Sequence, residues 1–332
     1  MNSGYQAAVC TALTGPSSIR LVEQQAVPLQ SGEVRIRVHA AGLNFPDLLM
    51  TDGKYQFRPD PPFVPGLEAA GEVIEVAPDV DNIKPGDRVM AGGKGGALAE
   101  QWIVRATSVS PLPAALSFSE GACWQTGAST AWHALVERGN LQAGESVLIL
   151  GASGGVGMAA VKMAKHIGAT VIGTGSNEAK RDTILEAGAD HVLNPADEEL
   201  AAKVKTLTDG NGADVVYDPV GGDLALTATR AIAWNGRYLI VGFASGSVPS
   251  FPANHVLIKT YSVIGVRAGE GPRRDPDLAM RQGTALRELA VQGAMRPHIS
   301  HSFSLADTAR ALTVLKQRQA IGRVIIEIPT SS

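Results

Sequence analysis

The feature that most constrains this chain is a run of small residues, Gly151-Ala152-Ser153-Gly154-Gly155-Val156-Gly157, set directly behind the apolar stretch 146–150 (SVLIL). A continuous apolar run of that length reads as a strand buried on both faces. The small residues then read as a tight turn that opens a helix. Without bulky side chains the backbone there can approach a ligand closely, and the first-turn N–H groups and the helix dipole favour an anion. A second strand follows at 169–173 (ATVIG), and the alternation repeats through 213–217 (ADVVY) and 237–242 (RYLIVG), with helical segments of about ten residues between. That order predicts a doubly wound parallel sheet. The loop is a modified G-x-G-x-x-G, with Ala152 in place of the first glycine before Gly154 and Gly157. A glycine pattern alone would signal no more than a tight turn. Placed between a strand and a helix, at the start of a strand–helix–strand unit, it predicts a seat for the pyrophosphate of a dinucleotide.

The end of the second strand distinguishes the two nicotinamide dinucleotides. An NAD site carries an acid there that accepts hydrogen bonds from the ribose 2′-hydroxyl. Here the strand runs out through Gly173-Thr174-Gly175-Ser176-Asn177 without one, and Lys180 and Arg181 follow within about one helical turn. Hydroxyl, amide and cationic groups suit a 2′-phosphate, which an acid would repel. Ser176, Asn177, Lys180 and Arg181 are therefore expected to select NADPH. The competing reading has Lys180 and Arg181 decorating a solvated helix face beside Glu178 and Asp182.

Around this unit the chain reads differently. Residues 34–39 (VRIRVH) alternate strictly, Val34, Ile36 and Val38 on one face and Arg35, Arg37 and His39 on the other. Further strands are expected at 71–76 and 87–90, broken by Pro78, Pro85-Gly86 and Gly92-Gly93. Short strands with frequent turns suggest a barrel-like β domain. Beyond the parallel sheet, 275–291 and 305–317 read as amphipathic helices, the first opened by Asp275-Pro276, and 322–328 reads as a closing strand. A length of 332 residues suits two domains. The net charge of −3 gives no electrostatic footprint for nucleic acid or an anionic membrane. No apolar stretch reaches spanning length, and residues 1–9 do not read as a signal peptide. With only Cys10 and Cys123, a disulfide framework is excluded and a reducing cytoplasm is the expected location.

Several segments together resemble the medium-chain dehydrogenase/reductase superfamily, and within it the zinc-independent quinone oxidoreductase (zeta-crystallin-like) branch. They are 42–47 (GLNFPD), 65–68 (PGLE), 84–89 (KPGDRV), the loop 152–157 (ASGGVG) and 322–324 (GRV). The resemblance implies a GroES-like, β-rich catalytic domain built from both chain ends, 1–124 and 263–332. A Rossmann dinucleotide-binding domain, 125–262, would be inserted between them. It also implies reduction of quinones or other conjugated carbonyl compounds by hydride transfer from NADPH. An enoyl-thioester reductase of the same fold and a non-catalytic NADPH-binding protein are the alternatives. A homodimer through the sheet edge near Tyr261–Gly265 is the partner it implies.

The departures from the alcohol dehydrogenase relatives bear on the chemistry. Those carry Cys where this chain has Asn44, and His-Glu where it has Leu67-Glu68. Amide and alkyl groups supply neither thiolate nor imidazole, so no metal is expected. His298 and His301, three apart, read as the polar start of a strand and not as ligands. Carried over residue by residue, the resemblance gives Asn44, Asp47 and Tyr55 as the catalytic set. It adds Thr130, Ser153, Gly154, Gly155, Val156, Gly157, Gly242, Phe243 and Arg323 to the cofactor-binding residues. Each has a structural competitor: a turn amide for Asn44, a helix N-terminal charge for Asp47, surface packing for Tyr55, an intrahelical hydroxyl for Thr130. A family tyrosine in the Asp47 loop is replaced by Leu49, and an adenine-stacking tyrosine corresponds to Asn194-Pro195. The expected site is a cleft between the domains walled by Asn44, Tyr55 and Thr130. There a hydroxyl or amide would steady charge forming on the substrate oxygen.

Overall fold

The computed structural model describes residues 4–329. The chain divides into two compact units, Met1–Thr126 with Ala290–Ser332, and Gly127–Leu289. The fold is the expected pairing of a GroES-like β domain with a Rossmann-like parallel sheet.

In the first unit a seven-stranded sheet is organised around the long strand Glu33–Leu43. That strand pairs antiparallel with Glu68–Val76, Gln101–Arg105 and Arg323–Glu327. The alternation read from the sequence holds for the core face, since Val34, Ile36 and Val38 are buried together with Val73, Trp102, Val324 and Ile326. Arg35, on the opposite face, is buried as well. Its Nε donates to Glu75 at 2.8 Å and a terminal nitrogen donates to the Val27 carbonyl, which pays for the desolvation. The strands Ile299–Ser304 and Arg323–Glu327 run parallel to each other and complete one end of the sheet. A separate hairpin, Tyr5–Cys10 with Ile19–Gln24, was not legible in the sequence, because its strands show no clean alternation.

The second unit holds a six-stranded, wholly parallel sheet. Its order across the sheet is His191–Leu193, Thr170–Thr174, Ser146–Ile149, Ala213–Asp218, Ile232–Ile240 and Ser262–Gly265. The central strands carry the continuous apolar runs because both their faces are covered, with Leu148, Ile172, Val216, Ile232 and Tyr238 in the core. The chain reverses direction across the sheet between Ser146–Ile149 and Ala213–Asp218, the switch point outside which open sheets of this kind bind ligands.

This unit extends to Leu289, well past residue 262 where the sequence suggests the chain leaves it. The reason lies in the helix Pro276–Val291. Leu278 packs toward Gly271, which sits against the ring of His133, and Arg281 pairs with Glu137. Amphipathic periodicity predicts this helix but does not say which core its apolar face will join. Among the described residues no helix is long and apolar enough to cross a membrane.

Candidate functional site

The small-residue loop lies where the sequence places it, between the strand Ser146–Ile149 and the helix Gly155–Ile167. Gly151 adopts φ +57°, and Gly154 caps the helix in extended conformation. A Cβ on Gly157 would meet the Gly151 carbonyl oxygen at 2.3 Å, so the helix can approach the loop only with glycine there. At Gly154 the nearest atom to such a Cβ would be 3.5 Å away, so its missing side chain leaves backbone exposed and not merely packed. Ser153, Gly155 and Val156 are partly exposed, and the N–H groups of Gly155, Val156 and Gly157 open the helix. An anionic pyrophosphate fits such a cradle. One further residue supports it. Thr174, almost wholly buried at the end of the second strand, accepts the Gly151 N–H on its Oγ1 at 3.0 Å.

Beyond Thr174 the chain passes through Gly175 and Ser176 into the helix Glu178–Glu186. Asn177 is the N-cap, and its Oδ1 accepts the Lys180 N–H at 2.9 Å. Ser176 and Asn177 are exposed, and Lys180 and Arg181 are half-buried. Arg181 reaches back to the Gly175 carbonyl at 3.5 Å. No carboxylate stands at the strand end itself. Gly242 and Phe243 follow the strand Ile232–Ile240, and Phe243 is exposed. Thr130 is half-buried on the helix Phe118–Trp132. In the same helix Gly127 faces Ala159 of the loop's helix, 3.3 Å from where a Cβ would stand.

The first unit holds the second group of candidates. Asn44, Asp47 and Arg323 come together with Glu68 in one buried network. Asn44 caps the short helix Phe45–Thr51. Its Nδ2 donates to Glu68 at 2.9 Å and to the Gly42 carbonyl at 3.4 Å, and its Oδ1 accepts from Arg323 at 3.0 Å. Arg323 also pairs with Glu68, whose other oxygen accepts the Thr126 N–H at 3.0 Å. Asp47 accepts the Asn44 N–H at 2.8 Å and the Gly66 N–H at 3.0 Å, closing the segment 44–66 at its base. Burial pushes the Asp47 carboxyl up to about 7 against those two N–H groups.

The Asn44 amide is engaged on both sides and only 5% exposed. Arg323, placed with the cofactor residues on the resemblance, has its guanidinium inside this network. Tyr55 stands on the segment that Asp47 closes, half-buried, with its N–H donating to the Leu49 carbonyl at 3.2 Å. Glu68 gets no role from the motif 65–68, because its charged partner Arg323 stands 255 residues away along the chain. Among the described residues no group of three or more His, Cys, Asp or Glu side chains could hold a metal ion.

Comparison with known proteins agrees with this fold. Residues 30–114 match the alcohol dehydrogenase GroES-like domain, and residues 155–304 match the zinc-binding dehydrogenase family. A quinone oxidoreductase-like protein 2 homolog of Nematostella vectensis is 38% identical over 327 residues, 97% of this chain and 88% of the relative. A crystal structure of a probable oxidoreductase from Mycobacterium abscessus superposes with a TM-score of 0.89 at 35% identity, covering 98% of this chain and 100% of that one. A mycobacterial protein solved in complex with NADPH gives the same TM-score of 0.89 at 28% identity, covering 97% of this chain and 99% of its own.

Proposed function

The chain belongs to the quinone oxidoreductase-like branch of the medium-chain dehydrogenase/reductase superfamily, and from that premise we propose that it reduces quinones or other conjugated carbonyl compounds with NADPH and without a metal. The observation that carries the reading is the pairing of a glycine cradle with a second strand that ends in Thr174-Gly175-Ser176-Asn177 and no carboxylate. Bound there, the nicotinamide would supply the hydride. Ser153 to Gly157 would hold the pyrophosphate, Ser176, Asn177, Lys180 and Arg181 the 2′-phosphate, and Thr130, Gly242 and Phe243 the rest of the cofactor.

The donor chemistry of the first unit favours metal-free reduction. Where zinc relatives of this fold use thiolate and imidazole, Asn44 presents an amide engaged with Glu68 and Arg323, and Leu67 presents an alkyl group. A conjugated acceptor suits a site without a Lewis acid, because the incoming electrons spread onto its carbonyl oxygen. The Tyr55 hydroxyl is the donor proposed to steady that oxygen, with Asp47, Asn44 and Arg323 fixing the segment that carries it. The protein partner proposed is a second copy of the chain along the edge strand Ser262–Gly265, near which Leu257, Ile258 and Val263 are exposed.

Steady-state kinetics with both cofactors, on quinones, enones and enoyl-thioesters, tests the reading. NADPH is expected to be clearly preferred. Changing Lys180 and Arg181 to Ala should weaken NADPH by about tenfold or more while leaving NADH nearly unchanged. Equal efficiency with NADH in the wild type would overturn the cofactor assignment. Exclusive turnover of enoyl-thioesters would move the substrate class.

A further inference from the structure

Asp218 ends the central strand Ala213–Asp218, outside the glycine loop and outside every motif singled out above. It is 1% exposed. A buried carboxylate is costly unless it is well supplied with donors, and this one has three. Its Oδ1 accepts the N–H groups of Val220 at 2.7 Å and Gly221 at 2.8 Å, and its Oδ2 accepts the Tyr238 hydroxyl at 2.7 Å. The carboxylate thereby fixes the turn 218–222, in which Gly221 and Gly222 take φ +69° and +65°.

That turn touches two segments. On one side Val220 Cγ2 lies 2.8 Å from where a Cβ on Gly151 would stand, so Val220 fills the space beside the first residue of the glycine loop. On the other side the turn is zipped to the segment after the next strand. Val241 and Gly242 donate to the Asp218 carbonyl at 2.8 and 3.2 Å, Ala244 to Pro219 at 3.0 Å, and Ser245 to Val220 at 2.9 Å. The Gly222 N–H closes the zip on the Ser247 carbonyl at 3.0 Å. One side chain thus braces a turn wedged between Gly151 and Gly242–Phe243.

We infer that Asp218 is a positioning residue for dinucleotide binding, acting through the turn 218–222 on the glycine loop and on Gly242–Phe243. The inference rests on the dinucleotide reading proposed above. Burial raises the Asp218 carboxyl above the usual carboxylate range, so its ionised form depends on the same three donors.

The test is NADPH affinity by fluorescence titration, with hydrogen exchange of the amides in 219–222 and 241–247. Asp218→Ala should weaken NADPH about tenfold or more and speed exchange in both segments, because it removes the acceptor of two buried N–H groups. Asp218→Asn, whose amide oxygen can still accept them, should recover most of the affinity. At saturating NADPH, kcat of the weakened variant should stay near wild type. Should Asp218→Ala not fold, Val220→Ala reads the same contact from its far end, with NADPH weakened several-fold and the Asp218 bonds intact. If the wild type binds NADPH and Asp218→Ala or Val220→Ala binds it equally well, the positioning role is wrong while the function stands. If the wild type binds no dinucleotide, both fall.

Discussion

Among single residues, Asp47 carries the sharpest expectation. Its folded carboxyl, pushed up to about 7, keeps a proton that the unfolded chain releases near its ordinary value of 3.8. Between those values the folded state binds more protons, so stability should fall as pH rises from about 4 to about 7, by at most roughly 1.4 kcal/mol per pH unit from this group. Above about 7 its contribution to the slope should vanish. Urea unfolding of wild type and Asp47→Asn at pH 5 and 7.5 checks this, since the variant should lose that part of the pH dependence. The network around Asp47 also marks the limit of reading a sequence. Asn44, Asp47 and Glu68 could each be flagged from local motifs. Arg323 bonds Asn44 and Glu68 across 279 and 255 residues, and no periodicity or spacing reports a contact at that distance. Reading one residue at a time therefore does not report that Asn44, Glu68 and Arg323 bond to one another.

At the scale of elements, legibility followed burial. The parallel strands stood out because their apolar runs are covered on both faces, and the strand–helix junction at Gly151–Gly157 followed from them. The hairpin did not, since Tyr5–Cys10 is largely buried but shows no alternation and its partner Ile19–Gln24 is mostly exposed, and the short edge strand His191–Leu193 is too exposed to leave a pattern. The junction itself makes a testable demand. Gly157→Ala would set a methyl 2.3 Å from the Gly151 carbonyl oxygen and 2.9 Å from the Ala152 Cα, forcing the loop off its helix. NADPH affinity by titration should fall at least about tenfold, more than for Gly154→Ala, whose methyl meets no atom closer than 3.5 Å.

For the molecule as a whole, the proposed chemistry requires no metal. Elemental analysis should find no stoichiometric zinc, and prolonged chelation should leave turnover of an enone or quinone unchanged. One tightly held zinc per chain, with activity lost on its removal, would contradict the proposal. The connectivity of the first unit has a different consequence, for biosynthesis. Its sheet is finished by Arg323–Glu327 pairing with Glu33–Leu43, and the partner that neutralises buried Glu68 is Arg323. The inserted unit, one uninterrupted stretch from Gly127 to Leu289, has every strand it needs long before then. On a ribosome the later-encoded unit can therefore fold first, while the earlier one waits with an uncompensated acid and an open sheet edge until the last strand emerges.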